Sequence, residues 1–450
     1  MNADVAEAAG ALTIAGAGPV GTLLAVLLAR TGRRVRLLER RGDPRVGPGE
    51  RGRSINLALA ARGLSALERA GVLDLIRPQL VAMRGRQLHD RDGKGPLLPY
   101  GQRPDELIYA VSRAGLNTLL IEAASAVPHI EMKFGCRVTD VDPVGGVVRW
   151  SDAVGGTATE APAALVIGAD GAGSAVRHAL QQRGLLHASD EPLAHEYKEL
   201  HMPAPTGAGW AFDPSALHIW PRREYMLIAL PNPDRSFTAT LFLPGSGPGG
   251  FDSLGTAAAA RAFFAREFPD ALERIPDFDA QFAAHPRGKL GTLHCWPWHV
   301  QRVLLIGDAA HAIVPFHGQG LNCGFEDCVQ LADLLGRGVD DQAACSQFEH
   351  LRRPNTDAIA AMAIENYEDM RATVLAPDFA ARKQLALDLE RRFPGRFIPR
   401  YSMVMFHAEI PYAEARRLGA LQDDVLDALL AAGMGADSAL AARLIADYAA

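Results

Sequence analysis

Apolar positions fall into short uninterrupted runs early in the chain, alternating runs in the middle and helical spacing at the end. Leu12-Thr13-Ile14-Ala15 predicts a buried strand, Leu23 to Ala29 a helix closed by Thr31-Gly32, and Val35 to Leu38 a second strand ending in Glu39. Leu165-Val166-Ile167 and Val303-Leu304-Leu305-Ile306 are further strand-like runs, which lead into Gly168-Ala169-Asp170-Gly171 and Gly307-Asp308. Leu217 to Trp220, Met226 to Leu230 and Ser236 to Leu243 read as strands separated by Pro221, Pro231 and Pro233; the third puts Phe237, Ala239, Leu241 and Leu243 on one face. From Gln347 onward the pattern is helical, with breaks expected at Pro354, Pro377, Phe393-Pro394-Gly395 and Ile410-Pro411. No internal repeat or low-complexity linker interrupts this order.

The first strand, turn and helix enclose Gly16-Ala17-Gly18-Pro19-Val20-Gly21. Gly16 suits a tight turn, Gly18 lets backbone meet a pyrophosphate, Gly21 lets the helix pack on the strand, and Glu39 can accept from an adenosine ribose. Strand, glycines, helix and acid in register predict a dinucleotide site, against the alternative of a merely glycine-rich turn.

The segment Val303 to Asp327 predicts the other end of that ligand. Asp308 at a strand end can hold a sugar hydroxyl, and Gly318-Gln319-Gly320-Leu321-Asn322 leads into a helix through Phe325, Val329 and Leu331. A helix start stabilises negative charge, which suits the N1–C2=O edge of a reduced flavin. Asp170 and Asp308 at two strand ends let two carboxylates approach one cofactor, although an ordinary Asx turn would explain either alone. Arg113, in the first turn of a helix through Leu116, Leu119 and Leu120, opposes the dipole and suits either an anionic ligand or a surface ion pair. The segment Arg51 to Leu59 reads locally as an exposed basic loop leading into a helix over Ala60 to Ala70.

Bulk properties narrow the classes. At 450 residues and 48% hydrophobic content the chain can bury a large core, and the length suggests about three domains. Forty-six Lys+Arg against 52 Asp+Glu, without a basic stripe, disfavour nucleic acid as a partner. No apolar stretch approaches the ~20 residues of a spanning helix, and the acidic start lacks a signal-peptide pattern. Five cysteines without metal-ligand spacing suggest reduced thiols in the cytoplasm, with neither disulfides nor a metal.

Taken together, the GxGxxG with Glu39, the Asp170-Gly171 motif with Arg177, and Gly307-Asp308 resemble the group A flavoprotein monooxygenases. Gly52-Arg53-Ser54-Ile55-Asn56-Leu57-Ala58-Leu59, Gly85-Arg86, Pro99-Tyr100-Gly101, His218-Ile219-Trp220-Pro221-Arg222, Ser236-Phe237-Thr238 and Pro315-Phe316-His317-Gly318-Gln319-Gly320 narrow the resemblance to the kynurenine-hydroxylating branch. The implied fold is α/β: a Rossmann-like FAD-binding domain of the aromatic hydroxylase type, an inserted mostly antiparallel sheet domain and a C-terminal helical region. The expected boundaries are 1–75, 103–187 and 288–370 for a discontinuous FAD domain, 76–102 and 188–287 for the substrate domain, and 371–450 for the helices. Mitochondrial members of the branch end in an anchoring helix; this chain departs from them and resembles a soluble bacterial type.

The resemblance implies non-covalent FAD held by Gly16, Gly18, Val20, Gly21, Leu38, Glu39, Arg40, Arg41, Arg53, Ala58, Arg113, Val138, Asp170, Asp308, Gly320, Leu321 and Asn322, with NADPH as a transient co-substrate. For the substrate, an aromatic amino acid, it implies Arg86 and Tyr100 at the carboxylate, Asn366 and Tyr401 as further contacts, and Met370 one helical turn beyond Asn366. Leu217, Ile219 and Phe237 are expected to form an apolar wall, against the alternative of core packing, and Phe316 to line the site. His317 and Gln319 receive positioning roles, whereas His311 is expected to pack and bond locally. Oxygen would pass from a flavin C4a-hydroperoxide to the ring carbon ortho to the amine, a step needing positioning and dryness more than a general base. Hydroxylation of another aromatic acid, and a non-catalytic flavin module, stay open as alternatives, as does the oligomeric state, a dimer included.

Overall fold

A computed structural model of the chain describes residues 10–46, 56–152, 156–376 and 378–448. The fold has two compact units: Met1–Leu80, Val111–Leu193 and Leu290–Thr356 in the first, and Val81–Ala110, Ala194–Lys289 and Asp357–Ala450 in the second.

In the first unit six strands run in the order His299–Val300, Val303–Leu305, Leu165–Gly168, Leu12–Ala15, Val35–Glu39 and Ile130–Phe134. All neighbours are parallel except His299–Val300. The central strands are wholly buried, as uninterrupted apolar runs require of a parallel sheet covered on both faces. Leu12 pairs with Leu165 on one side and Val35 on the other, and Ile167 pairs with Leu304. Parallel pairing therefore delivers Gly16, Asp170 and Asp308 to the same edge, although they are far apart in sequence. The chain leaves the Leu12 strand in opposite directions on its two sides, a switch point of the kind where open α/β sheets bind ligands. A three-stranded antiparallel sheet, Cys136–Asp142, Val147–Asp152 and Ala158–Pro162, belongs to the same unit.

The second unit is built on the sheet containing Ala216–Pro221, Met226–Pro231, Phe237–Pro244, Gly85–Leu88 and Leu97–Pro99, antiparallel except where Ala216–Pro221 meets Gly85–Leu88. One face packs Trp220, Leu227, Phe237, Ala239 and Leu241 against Phe263, Phe264, Phe268 and Phe278 from the helical segment after the sheet. A separate core, including Leu389, Phe397, Leu429 and Ile445, joins the C-terminal helices Phe379–Arg392, Tyr412–Ala431 and Ala439–Tyr448. The helix breaks expected at Phe393-Pro394-Gly395 and Ile410-Pro411 are present, while Pro377 lies outside the described residues. The break expected at Pro354 is absent: Asp341–Arg371 is one helix with that proline inside it. Proline removes one N–H from the ladder there, and the remaining bonds on either side carry the helix through.

Candidate active site

The dinucleotide loop of the first unit has its shape imposed by close packing. Gly16 has φ +101°, and a side chain there would meet the Ala169 carbonyl at 2.6 Å; one at Gly21 would collide with the Gly16 carbonyl. Gly18 faces open space and precedes a helix with no side-chain cap, so that space is bordered by first-turn amides. Glu39 accepts from Ala17 N (2.8 Å) and Arg41 N (2.9 Å). Each oxygen keeps a lone pair for a ribose hydroxyl. Leu38 is buried, Arg40 exposed, and Val20 directs its side chain inward toward Gly307 and Gly324. Val138 is buried in the antiparallel sheet.

The two aspartates are in different states. Asp170 Oδ2 accepts from Ala175 N (2.7 Å) and Val176 N (3.3 Å), while its buried Oδ1 has no partner among the described residues. Burial pushes its carboxyl up, opposed by Ser174 and these amides. Asp308 is exposed at the start of a short helix. Arg177, buried, donates to the Ala309 carbonyl at 2.9 Å and to the Ala172 carbonyl, tying the two aspartate loops together.

The helix Gly320–Leu335 begins without a side-chain cap, and Cys323 N is bonded to the Gln319 carbonyl. The amides of Gly320, Leu321 and Asn322 precede that ladder and are the donors a flavin edge requires. The Asn322 side chain is otherwise engaged: Oδ1 accepts from Ala60 N (2.9 Å), and Nδ2 donates to the Ala58 (2.8 Å) and Gly318 (2.8 Å) carbonyls. Its expected cofactor contact is thereby restricted to the backbone, and Ala58 is part of the same clip. Phe316, His317 and Gln319 are all buried. Arg113 is exposed at the start of its helix, and Arg53 lies outside the described residues.

In the second unit a cation stands among aromatic and amide groups. The Arg86 guanidinium is 4.8 Å from the Tyr401 ring and 5.9 Å from that of Tyr100; the two rings stack at 5.8 Å. Arg86 Nη2 donates to Asn366 Oδ1 at 3.3 Å, and Asn366 Nδ2 lies 3.3 Å from Met370 Sδ. The strand pairing Arg86↔Leu98 and the bond from Tyr100 N to the Arg84 carbonyl (3.0 Å) explain why Tyr100 arrives here. Burial pushes both phenols up, so at neutral pH they are hydroxyl donors. Burial opposes the Arg86 charge, but Tyr401, Tyr100 and Asp369 favour it and keep its pKa above the usual value. Among the described residues Arg86 has no salt bridge, and its shielded Nε has no hydrogen-bond acceptor. A fork-shaped cation flanked by neutral hydroxyls is a receptor for a carboxylate.

Leu217 is in register with Arg86, and Ile219 with Leu88, so both share the Arg86 face. Phe237 does not. Ile219 pairs with Ile228 and Ile228 with Thr240, which leaves Phe237 on the opposite face, edge-on to Phe212 at 5.8 Å and His218 at 5.6 Å in the aromatic core. The expectation of Phe237 in the pocket wall is corrected by the two-residue period of a strand. Two ionisable groups escaped the sequence reading. Asp369 shares a helical face with Asn366, and burial raises its carboxyl against the pull of Arg400 and Arg86; the i, i+3 spacing was its signal. Lys383 donates to the Pro99 carbonyl at 2.8 Å, and burial, then Arg86, pushes it down to about 7. No local pattern marks a contact so distant in sequence.

His311 Nε2 lies 2.7 Å from Asp327 Oδ2, whose other oxygen receives Arg352 Nε at 2.6 Å. Arg352 and Arg62 also flank Glu326, each at 2.6 Å. This buried network joins helices, and His311 belongs to it. Burial opposes the Asp327 charge, but His311 and Arg352 outweigh it and hold the carboxyl low.

The fold and the strand-end site define an FAD-dependent flavoprotein of the aromatic hydroxylase type: the family described as FAD binding domain matches residues 10–222 and 266–362. The chain is 48% identical over 435 residues to kynurenine 3-monooxygenase of Stenotrophomonas maltophilia (strain K279a), covering 96% of this chain and 94% of that protein. The enzyme of the same name from Myxococcus xanthus (strain DK1622) is 46% identical over 419 residues, 93% of this chain and 90% of the relative. This chain belongs to the kynurenine 3-monooxygenase family, a family of flavoprotein monooxygenases. The fold is shared with 2-methyl-3-hydroxypyridine-5-carboxylic acid oxygenase (TM-score 0.64, 22% identity, 91% of this chain and 97% of that one). It is shared also with p-nitrophenol 4-monooxygenase from Pseudomonas putida DLL-E4 (TM-score 0.65, 19% identity, 84% and 93%).

Proposed function

We propose that this chain uses NADPH and O2 to hydroxylate L-kynurenine at ring C3, giving 3-hydroxykynurenine, with FAD held non-covalently. The observation that carries the substrate reading is Arg86 without a salt bridge among the described residues, flanked by Tyr100, Tyr401 and Asn366. Arg86 binds the substrate carboxylate, the two phenols donate to it, Asn366 and Met370 bound the site, and Leu217 and Ile219 provide its apolar side. For the cofactor, Glu39 would hold the adenosine ribose, the N–H groups of Gly18 itself and of Val20, the first after Pro19, would meet the pyrophosphate, and Asp308 would take a ribityl hydroxyl. The Gly320, Leu321 and Asn322 amides would donate to the pyrimidine edge. His317 and Gln319 position the reacting partners rather than move protons. The chemistry supplied by FAD when bound is acceptance of hydride from NADPH and activation of O2. The ring amine makes its ortho carbon electron-rich, so these residues orient the ring and exclude water.

Among the described residues no helix is long and apolar enough to cross a membrane, and all five cysteines are buried free thiols. Together with the sequence pattern this supports a cytoplasmic placement. The test is NADPH oxidation by FAD-loaded protein with kynurenine and a panel of other aromatic acids, with product identified by mass. Kynurenine-stimulated oxidation with a gain of one oxygen supports the reading; stimulation only by a different acid, or no turnover with retained FAD, overturns it.

A further inference from the structure

At the end of the helix that carries Asn366 and Met370, a two-way clamp fastens its last turn to a hairpin of the sheet that carries Arg86. Arg371, the final residue of Asp341–Arg371, accepts a hydrogen bond from Arg223 N at 2.8 Å through its backbone carbonyl. Its Nη1 donates to the Arg223 carbonyl at 2.9 Å. A helix-end carbonyl has no partner within its own helix, and here the hairpin supplies one. The second guanidinium nitrogen holds both oxygens of Glu368 at 2.7 Å, so the fork is fixed from behind by its own helix. The guanidinium also lies 5.1 Å from the Tyr367 ring, which is buried and meets His195 edge-on at 5.3 Å. His195 Nε2 in turn lies 2.7 Å from the Glu224 carbonyl, where it must donate, so helix and neighbouring strand converge on one turn.

That turn is well placed to set geometry. Arg223 has φ +64°, in the left-handed region, and joins Ala216–Pro221 to Met226–Pro231. The first of these strands pairs Leu217 with Arg86. A fork made of Arg371 therefore links the helix bearing Asn366 to the strand next to Arg86, while the Arg86–Asn366 bond is long, at 3.3 Å. A weak direct bond is readily altered by a small shift of the helix, and a rigid clamp limits such shifts.

We infer that Arg371 is a positioning residue for substrate binding: through its clamp on the Arg223 turn it holds Asn366 and Met370 in place beside Arg86. This rests on the substrate reading, and the test separates the two.

Kynurenine affinity, kcat, FAD content and hydrogen exchange of residues 364–372 are measured for wild type, Arg371→Ala, Arg371→Lys, Asn366→Ala and the double variant Arg371→Ala/Asn366→Ala. Arg371→Ala should weaken kynurenine binding about tenfold while kcat changes less than about threefold, because contacts held by positioning are lost and the chemistry is not touched. Arg371→Lys should recover part of the loss, since one ammonium can reach the Arg223 carbonyl but cannot also fork onto Glu368. In the Asn366→Ala background, adding Arg371→Ala should cost about threefold or less instead of tenfold, the remainder being the share that acts through Met370. Exchange in 364–372 should quicken in Arg371→Ala with FAD content unchanged. Arg223→Gly, which keeps both backbone bonds and relieves the positive φ, should bind within about twofold of wild type. A full, additive loss in the Asn366→Ala background, or unaltered exchange in 364–372, overturns the inference. If wild type ignores kynurenine, the substrate reading fails and the exchange result alone decides the clamp.

Discussion

Arg177 Nη1 donates to the backbone carbonyl of Ala309 at 2.9 Å. The bond joins the helix that follows one parallel strand to the short helix that follows its neighbour, placing Asp170 and Asp308 on a common frame. Because Arg177 is buried, Arg177→Ala would leave the Ala309 and Ala172 carbonyls short of a donor and open a cavity. We expect a loss of about 2–4 kcal/mol in stability and reduced FAD retention. Denaturant melts and flavin content after gel filtration check this; wild-type values for both would separate the link from cofactor binding.

Asp308 offers the opposite case, an exposed carboxylate whose removal leaves no buried group unpaired. Asp308→Ala should weaken FAD binding by about 0.5–3 kcal/mol, the range for one hydrogen bond to a neutral or charged partner, with the fold intact. Titration of apoprotein with FAD measures it, and unchanged affinity would remove Asp308 from the ribityl site.

At Arg86 the size of the effect is diagnostic. Loss of a partner to a dry carboxylate costs on the order of 2–5 kcal/mol, whereas an exposed pair gives about 1 kcal/mol or less. Arg86→Ala should fall in the first range for kynurenine affinity, Arg86→Lys should recover only part, and FAD content should hold. Near-wild-type kynurenine binding in Arg86→Ala would take the residue out of the site.

Phe237 should behave as a core residue. It is fully buried among Phe212, Trp210 and His218. Phe237→Ala is expected to cost about 3–5 kcal/mol of stability. Kynurenine affinity per folded molecule should change little, because the ring lies on the sheet face opposite Arg86. A selective loss of kynurenine binding with an unchanged melting temperature would restore it to the pocket wall.

Acid sensitivity should have a definable source at His218. Its Nε2 donates to the Asp213 carbonyl at 2.9 Å and its Nδ1 lies 2.8 Å from His89 Nε2, with Asp270 and Trp220 completing the surroundings. Burial pushes its pKa down to about 4, against the pull of Asp213. The unfolded chain, near 6.5, then binds the extra proton first, so this contribution is complete above about pH 6.5 and is lost as pH falls toward about 4, with a limit of roughly 3 kcal/mol. Stability measured from pH 8 to pH 4.5 should decline less steeply in His218→Gln than in wild type. Parallel curves would assign the acid sensitivity elsewhere.

Much of this molecule is written locally. Short, mostly apolar runs at Leu12, Leu165 and Val303, too short for a helix and closed by glycine, read as buried strands, and Gly16, Gly18 and Gly21 with Glu39 specify a turn, an open edge and an acceptor within one βαβ unit. The helix start at Gly320 was likewise legible, because its glycines and following periodicity are adjacent in sequence. What only the tertiary structure decided is which local features meet and which atoms remain free. Strand order brought Asp170 beside Asp308, while long-range bonds committed the Asn322 side chain to Ala58 and Ala60. Strand register put Phe237 on one sheet face and Arg86 on the other, a distinction that alternation alone leaves undecided until a neighbour is known. Arg86, Tyr100, Asn366 and Tyr401 stand in separate stretches of the sequence, and no local pattern joins them. Their meeting is a product of packing between segments distant in sequence, and periodicity carries no information about such encounters.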